Sequence, residues 1–263
     1  MAMTLTFLGT GSAFTTNAYY QSNLLLTAES GKQMLIDCGS DIRFSLGEWC
    51  MKQEIPRPEI HAVYVSHLHS DHIGGLEWLA FKSYFTAGVT RPTLFLVEEL
   101  APRIWEHALR AGLECIEEKL MTLSDYFVPV TVRAGARFQW ENIQFTPFRT
   151  VHVRNPQHPM YSFGLIIQEM GQEKVFIFTT DTVLDQNLLQ LFAEWSPRTQ
   201  YIFQDCETSP VKTGVHAHYT DLRTLPEKLR RSMWLYHYNP NPPYRPEEDG
   251  FPGFVHKGQF FSL

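Results

Sequence analysis

Within six residues, His67-Leu68-His69-Ser70-Asp71-His72 presents three imidazoles and one carboxylate. These are the donors that zinc and its first-row neighbours take. Four such groups crowded together repel once protonated and are hard to hydrogen-bond in an apolar setting; a bound cation removes both difficulties. The cluster follows directly on an apolar, strand-like run, His61-Ala62-Val63-Tyr64-Val65-Ser66. Three further donors end runs of the same kind: His152 after 145–151, Asp181 after 175–180 and His237 after 234–236. A lone histidine at a strand end is usually a capped or surface group. Three donors so placed, in a chain that already carries a metal cluster, are read as completing it.

Bringing these donors together requires buried strands whose ends share one edge. Leu5-Thr6-Phe7-Leu8 is strand-like and runs into Gly9-Thr10-Gly11-Ser12, a turn in which glycine allows close backbone approach. Residues 23–26 and 34–36 read as a hairpin around Glu29-Ser30-Gly31-Lys32, closed by Asp37-Cys38-Gly39-Ser40. The spacing of Ile73, Leu76, Ala80 and Phe81 predicts a helix over 73–84, and a second helix is expected over 98–111 after the strand 93–97. Strands are expected at 143–153, 161–168, 174–180, 201–205 and 233–236, with an irregular stretch from Asn239 to Pro252. This alternation without a linker predicts a layered α/β architecture, in one domain over 1–263, with polar residues gathered at strand ends.

Composition narrows the function. The 263 residues are enough for one large α/β domain. No run approaches the ~18 apolar residues of a membrane helix. The N-terminus has no basic region ahead of an apolar one, so no secretory signal is expected. Cys38, Cys50, Cys115 and Cys206 lie far apart with no CxxC pair, and free thiols in a reducing cytosol are the plain reading. A net charge of −6 argues against an extended nucleic-acid-binding face. A cytoplasmic protein without membrane attachment is expected.

The chain resembles the metallo-β-lactamase-fold superfamily, and within it the phosphodiesterase and ribonuclease Z-like branch. The resemblance rests on Phe7-Leu8-Gly9-Thr10-Gly11-Ser12-Ala13, Leu35-Ile36-Asp37-Cys38-Gly39, Ser66 to Leu76 around the His-x-His-x-Asp-His element, Thr179-Thr180-Asp181-Thr182 and Leu235-Tyr236-His237. It implies an αββα four-layer sandwich carrying a dinuclear metal site at the sheet edge. Carried over residue by residue, His67, His69 and His152 are implied ligands of one metal, and Asp71, His72 and His237 of the other. Asp181 stands where the family has its bridging carboxylate. Zinc leads because the donors are nitrogen and oxygen, with manganese and iron left open by ligand type. Two such cations lower the pKa of a shared water and neutralise phosphoryl charge. Asp71 is the candidate to orient that water or take its proton.

Phosphodiesterases also protonate a departing alkoxide. In the ribonuclease Z branch a histidine in a short His-x-Thr motif, before the last ligand, does so. Here the match is split: His216 has the better distance to His237, while His218-Tyr219-Thr220 better copies the motif. One of the pair is expected to be the general acid and the other to shape the pocket. Only 28 residues separate His152 from Asp181, room for a hairpin and not for the long basic arm with which ribonuclease Z grips transfer RNA. No Cys-rich knuckle occurs near 14–22, unlike the cyclic-phosphate enzymes of phosphonate metabolism. The expected substrate is therefore a compact phosphodiester: a cyclic nucleotide, a cyclic ribose phosphate or a short oligonucleotide. A thioester or lactone hydrolase on the same scaffold is the alternative, ahead of a tRNA 3′-processing nuclease or a non-catalytic sensor. Asp37 is expected to support a ligand; Asp205 and Glu207 do the same or cap a strand. The resemblance also implies a homodimer, with Phe254, Phe260 and Phe261 either at its interface or in a last core strand.

Overall fold

Val175, Phe176, Ile177 and Phe178 alternate between two hydrophobic clusters, Phe176 and Phe178 entering one and Val175 and Ile177 the other. That period of two means the strand is covered on both faces. Met233-Trp234-Leu235-Tyr236 repeats the alternation. A computed structural model describing residues 3–262 shows what covers them.

Two seven-stranded sheets lie face to face. The first is built from β1 (Thr4–Phe7), β2 (Leu24–Thr27), β3 (Gln33–Ile36), β4 (Ala62–Val65) and β5 (Thr93–Val97). A small hairpin, β6 (Cys115–Ile116) and β7 (Lys119–Leu120), precedes its outer strand β8 (Val128–Val132). The second holds β9 (Phe138–Trp140), β10 (Ile143–Val153), β11 (Met160–Glu169), β12 (Val175–Phe178), β13 (Thr199–Asp205), β14 (Met233–Tyr236) and β15 (Gly253–Phe254). The last strand, β16 (Phe260–Ser262), returns to pair with β1. Phe7 meets Phe203 at 5.1 Å and Tyr236 at 5.7 Å, and Phe95 stacks on Phe138 at 4.7 Å, so aromatic rings fill the seam between the sheets. Helices Ile42–Lys52 and Leu76–Phe85 cover the first sheet through Ile42, Leu46, Leu76 and Leu79. Helix Gln186–Trp195 covers the second through Leu188 and Phe192. The αββα layering expected from the sequence is the one adopted. No described helix is long and apolar enough to cross a membrane.

Strand direction places the site. β3, β4, β5 and β8 run parallel, as do β12, β13, β14 and β15. Their carboxyl ends open on one edge, where crevices form in such sheets. Registers Ile36↔Tyr64 and Asp205↔Tyr236 put the chain exits level, so that Asp37 lies beside the end of β4 and Asp205 beside His237.

Several local expectations shift. The helix predicted over 73–84 is two pieces, Ser70–Ile73 and Leu76–Phe85, broken at Gly74-Gly75. A Cβ on Gly75 would stand 2.4 Å from the Gly39 carbonyl, so the close approach of the two loops decides the break. The helical run expected at 98–111 lies at 101–113 and contains a π-helical stretch, Trp105–Leu109. Helix Ile42–Lys52 was not anticipated: Ser45, Gly47 and Cys50 share its buried side with Ile42 and Leu46, which blurs the apolar stripe. Of the terminal aromatics, Phe261 enters the core, 4.7 Å from Phe203, and Phe260 is exposed. All four cysteines are free.

Candidate metal centre

The His-rich loop leaves β4 and turns back through the short helix Ser70–Ile73, burying His67, Asp71 and His72. His152 is the penultimate residue of β10, Asp181 follows β12, and His237 follows β14. Thus both sheets contribute. Three of the strand exits have left-handed backbone at non-glycine residues: Asp37 (φ 64°), Thr180 (φ 53°) and His237 (φ 61°). For a β-branched threonine this is costly, and such strain is characteristic of sites held by their surroundings. Here Ser66 Oγ donates to Asp37 Oδ2 at 2.7 Å and Thr180 Oγ1 donates to Ser66 Oγ at 2.8 Å, locking two of the exits together.

The donors form two groups. Nε2 of His67 lies 3.2 Å from Nδ1 of His69, which lies 3.0 Å from Nε2 of His152. Asp181 Oδ2 is 3.7 Å from both Nε2 atoms. In the other group, His72 Nε2 and His237 Nε2 each stand 3.4 Å from Asp71 Oδ2, and 3.3 and 3.4 Å from Asp181 Oδ1. Ligands at zinc-like bond lengths on a tetrahedron are about 3.3 Å apart, so both groups fit a cation of that size. Asp181 turns one oxygen to each group, the arrangement of a bridging carboxylate. His72 Nε2 and Asp181 Oδ1 are buried without a hydrogen-bond partner, which a cation would supply.

The remaining ring nitrogens are held from behind. Asp37 Oδ2 is 2.8 Å from His72 Nδ1, and the Val215 carbonyl accepts from His152 Nδ1 at 2.9 Å. Asp205 Oδ1 is 3.2 Å from His237 Nδ1. The contacts at His72 and His152 fix the tautomer that leaves Nε2 free for a metal, whereas Asp205 Oδ1 and His237 Nδ1 are close neighbours without a hydrogen bond. Burial pushes His67 well below the ordinary imidazole range. Burial acts the same way on His237, but Asp181, Asp205 and Asp71 outweigh it and push it up to about 10. Asp71 is held low, against its burial, by His72 and His237. A divalent cation held between these groups would compete with protons for the same ring nitrogens.

The two candidate acids part company. His216 lines the same cavity of about 440 Å³ as His69, Asp71, His152, Asp181 and His237, with ring centroids 5.0 Å from His152 and from His237. Its Nδ1 is 2.8 Å from Asp205 Oδ2, leaving Nε2 for the cavity. Burial lowers its pKa, but Asp205 reverses the balance and raises it. His218 does not line this cavity. Its Nδ1 pairs with Thr220 Oγ1 at 2.8 Å and caps the helix Tyr219–Leu222, while Nε2 donates to the Ser209 carbonyl at 2.9 Å. The His-x-Thr likeness coincides with a helix cap, and of the two histidines His216 is the one that lines the cavity. Arg149 lies over the Tyr161 ring at 3.5 Å, and His158 sits in an exposed turn. Glu207 accepts from Ser209 Oγ at 2.8 Å and from the Thr213 amide, bracing the loop above the cavity. Phe14 and Asn239, which also line it, carry no sequence signal beyond an ordinary aromatic and an ordinary loop amide.

The family model described as anti-Pycsar protein Apyc1 matches residues 3–261. The chain belongs to that family. The anti-Pycsar protein Apyc1 of Bacillus phage vB_BveM-Goe7 is 35% identical over 246 residues, covering 90% of this chain and 89% of its own. Among solved structures, unliganded yeast PDE1 superimposes with a TM-score of 0.77 at 14% identity, over 100% of this chain and 99% of that one. The metallo-β-lactamase fold protein YhfI of Bacillus subtilis gives 0.72 at 15% identity over 100% of both chains. These likenesses establish a metallo-β-lactamase fold.

Proposed function

We propose that the protein is a dinuclear-metal phosphodiesterase acting on a small phosphodiester. His67, His69 and His152 would hold one divalent cation, Asp71, His72 and His237 the other, and Asp181 both; zinc suits the donors best. When bound, two such ions supply Lewis acidity toward phosphoryl oxygens and a nucleophilic water near neutral pH. The observation that carries the reading is the Asp205–His216 pair on the wall of the same cavity. Asp205 accepts from His216 Nδ1 and favours the doubly protonated imidazolium, whose Nε2 proton would face a leaving alkoxide. The scissile P–O bond breaks as the water oxygen bonds to phosphorus, the alkoxide takes the Nε2 proton, and His216 is reprotonated from solvent. Asp71 is the acceptor placed for the proton the water loses. The cavity suits a mononucleotide-sized substrate, and the β10–β11 connection is too short for an arm that grips transfer RNA. A thioester or lactone leaves no use for the Asp205–His216 pair. Two likenesses also support the reading, the fold shared with yeast PDE1 and membership of the Apyc1 family.

The test uses metal-loaded protein, a 3′,5′-cyclic nucleotide with its alkoxide leaving group, and bis(p-nitrophenyl) phosphate, whose leaving group needs no acid. His216→Ala should lower cyclic-nucleotide turnover about 10²- to 10⁴-fold and p-nitrophenyl turnover far less. His218→Ala should do neither. Equal losses on both substrates in the His216 variant would remove its acid role, and no turnover of either by the loaded wild type would end the phosphodiesterase reading.

A further inference from the structure

Asn23 is the residue before β2, a strand antiparallel to both β1 and β3. It therefore lies on the site edge, between the exits of those two strands. Its side chain is fully buried and hydrogen-bonds to none of the candidate ligands.

The amide is nonetheless fully engaged. Oδ1 accepts from the Gly39 amide at 2.6 Å, and Nδ2 donates to the Gln21 carbonyl at 3.0 Å and to Asp41 Oδ1 at 3.2 Å. Because a backbone N–H can only donate, the orientation of the side chain is settled. Asp41 closes the knot: its Oδ2 accepts from the Gln21 amide at 2.8 Å, and its own amide donates to Gln21 Oε1 at 3.3 Å. The Asn23 carbonyl accepts from the Leu8 and Gly9 amides at 2.9 and 3.4 Å, which holds the exit of β1.

The segment tied down in this way is the surface on which the second donor group rests. The Cys38 amide donates to the His72 carbonyl at 2.7 Å, the Cys38 carbonyl accepts from the Gly75 amide at 2.9 Å, and Ser40 Oγ donates to the Ser70 carbonyl at 2.9 Å. Between these contacts, Gly39 lies so close to Asp71 that a Cβ there would collide with the Asp71 carbonyl oxygen. A shift of Gly39 must therefore be passed on to Asp71 and His72. Among the described residues, no hydrogen bond joins Cys38, Gly39, Ser40 or Asp41 to His67, His69 or His152.

We propose that Asn23 is a positioning residue for the Asp71–His72–His237 half of the centre, acting through Gly39, while the His67–His69–His152 half keeps its own supports. The Gly39 amide needs an acceptor and Asp41 a donor, and neither an aliphatic nor an acidic side chain offers both. The inference rests on the two-cation reading and adds to it a residue that touches neither ion.

The measurement is zinc affinity, ion by ion, from chelator competition on the full-length protein, beside metal per chain by elemental analysis. Asn23→Asp keeps an acceptor for Gly39, loses both donors and sets a second carboxylate against Asp41. It should weaken one of the two ions about tenfold and leave the other unchanged. Adding Asp41→Asn, which returns an amide to the pair, should restore most of the loss. Two backgrounds say which half is concerned: adding Asn23→Asp should weaken the ion left in His152→Ala and spare the ion left in His237→Ala. Equal weakening of both ions overturns the proposal, as does unchanged affinity with stability lost in denaturant melts; either makes Asn23 merely structural. If Asn23→Asp does not fold, Asp41→Ala removes the acceptor of Nδ2 but spares the Gly39 contact, and should weaken the same ion about threefold. A wild type that binds fewer than two zinc ions removes the two-cation reading itself, whereas a wild type binding two, with variants that bind them equally well, removes only the role of Asn23.

Discussion

The two halves of the candidate centre are built differently. The first sheet delivers His67, His69, Asp71 and His72 in one loop, braced by Asp37 from the neighbouring strand. The second sheet delivers His152, Asp181 and His237 singly, from the ends of three strands, with Asp205 on a fourth. One half is a cartridge and the other an assembly. The cartridge depends on local turns, the assembly on strand register, so the same kind of substitution should act differently in each.

Asp181 is where the halves meet, and its loss should be the most severe. Asp181→Asn should strip metal from both groups and lower phosphodiester turnover roughly a thousandfold, read as metal per chain by elemental analysis beside activity. Retention of two metals would break the picture of a shared carboxylate. Next come the braces. Asp37→Asn should weaken metal retention about 10- to 100-fold with little change in the pH dependence of turnover. Asp205→Asn touches both His237 and His216 and should alter metal retention and the pH profile together. Chelator competition and a pH–rate curve separate the two. A smaller effect is expected at His218: alanine there removes a helix cap and should cost about 1 kcal/mol of stability, measured by denaturant melts, with turnover spared.

The smallest effect lies outside the site. Glu48 binds Lys52 at 2.8 Å and Lys257 at 2.9 Å, tying helix Ile42–Lys52 to the end of the chain. Those two ammonium groups hold its carboxyl down to about 2, from an ordinary 4.5. A depressed acid stabilises the fold fully above its unfolded value and progressively less as pH falls through the folded one. Glu48→Gln should therefore cost about 1 kcal/mol or less at neutral pH, and the gap should close between pH 4.5 and 2. Thermal melts across that range would show it.

The same contrast explains what could be read before the fold was seen. Contiguous donors in the His-rich loop announce themselves, because no ordinary core or surface asks for that composition. His152, Asp181 and His237 were legible as donors ending apolar runs, the interleaving of strands and helices suggested a layered α/β architecture, and the αββα order came with the family resemblance. Asp205 and Glu207 could not be told apart, since one braces histidines and the other a loop through hydrogen bonds that spacing does not encode. His218 copied a motif locally while its ring was spent on a helix cap. Phe14 was invisible because exposure is a property of the fold: in the sequence it is one phenylalanine among 19. Helix Ile42–Lys52 hid behind small and polar residues on its buried side.

The left-handed turns at Asp37, Thr180 and His237 bear on time as well as shape. Where hydrogen bonds within the protein hold these turns, as Ser66 does for Asp37 and Thr180, a cation would meet a formed site, and loading would resemble filling a mould more than folding a finger. Uptake should then run as a single phase limited by dehydration of the ion and loss of protons, without a change in far-ultraviolet dichroism. Glycine at Thr180 would ease the local conformation, and in doing so make the mould soft.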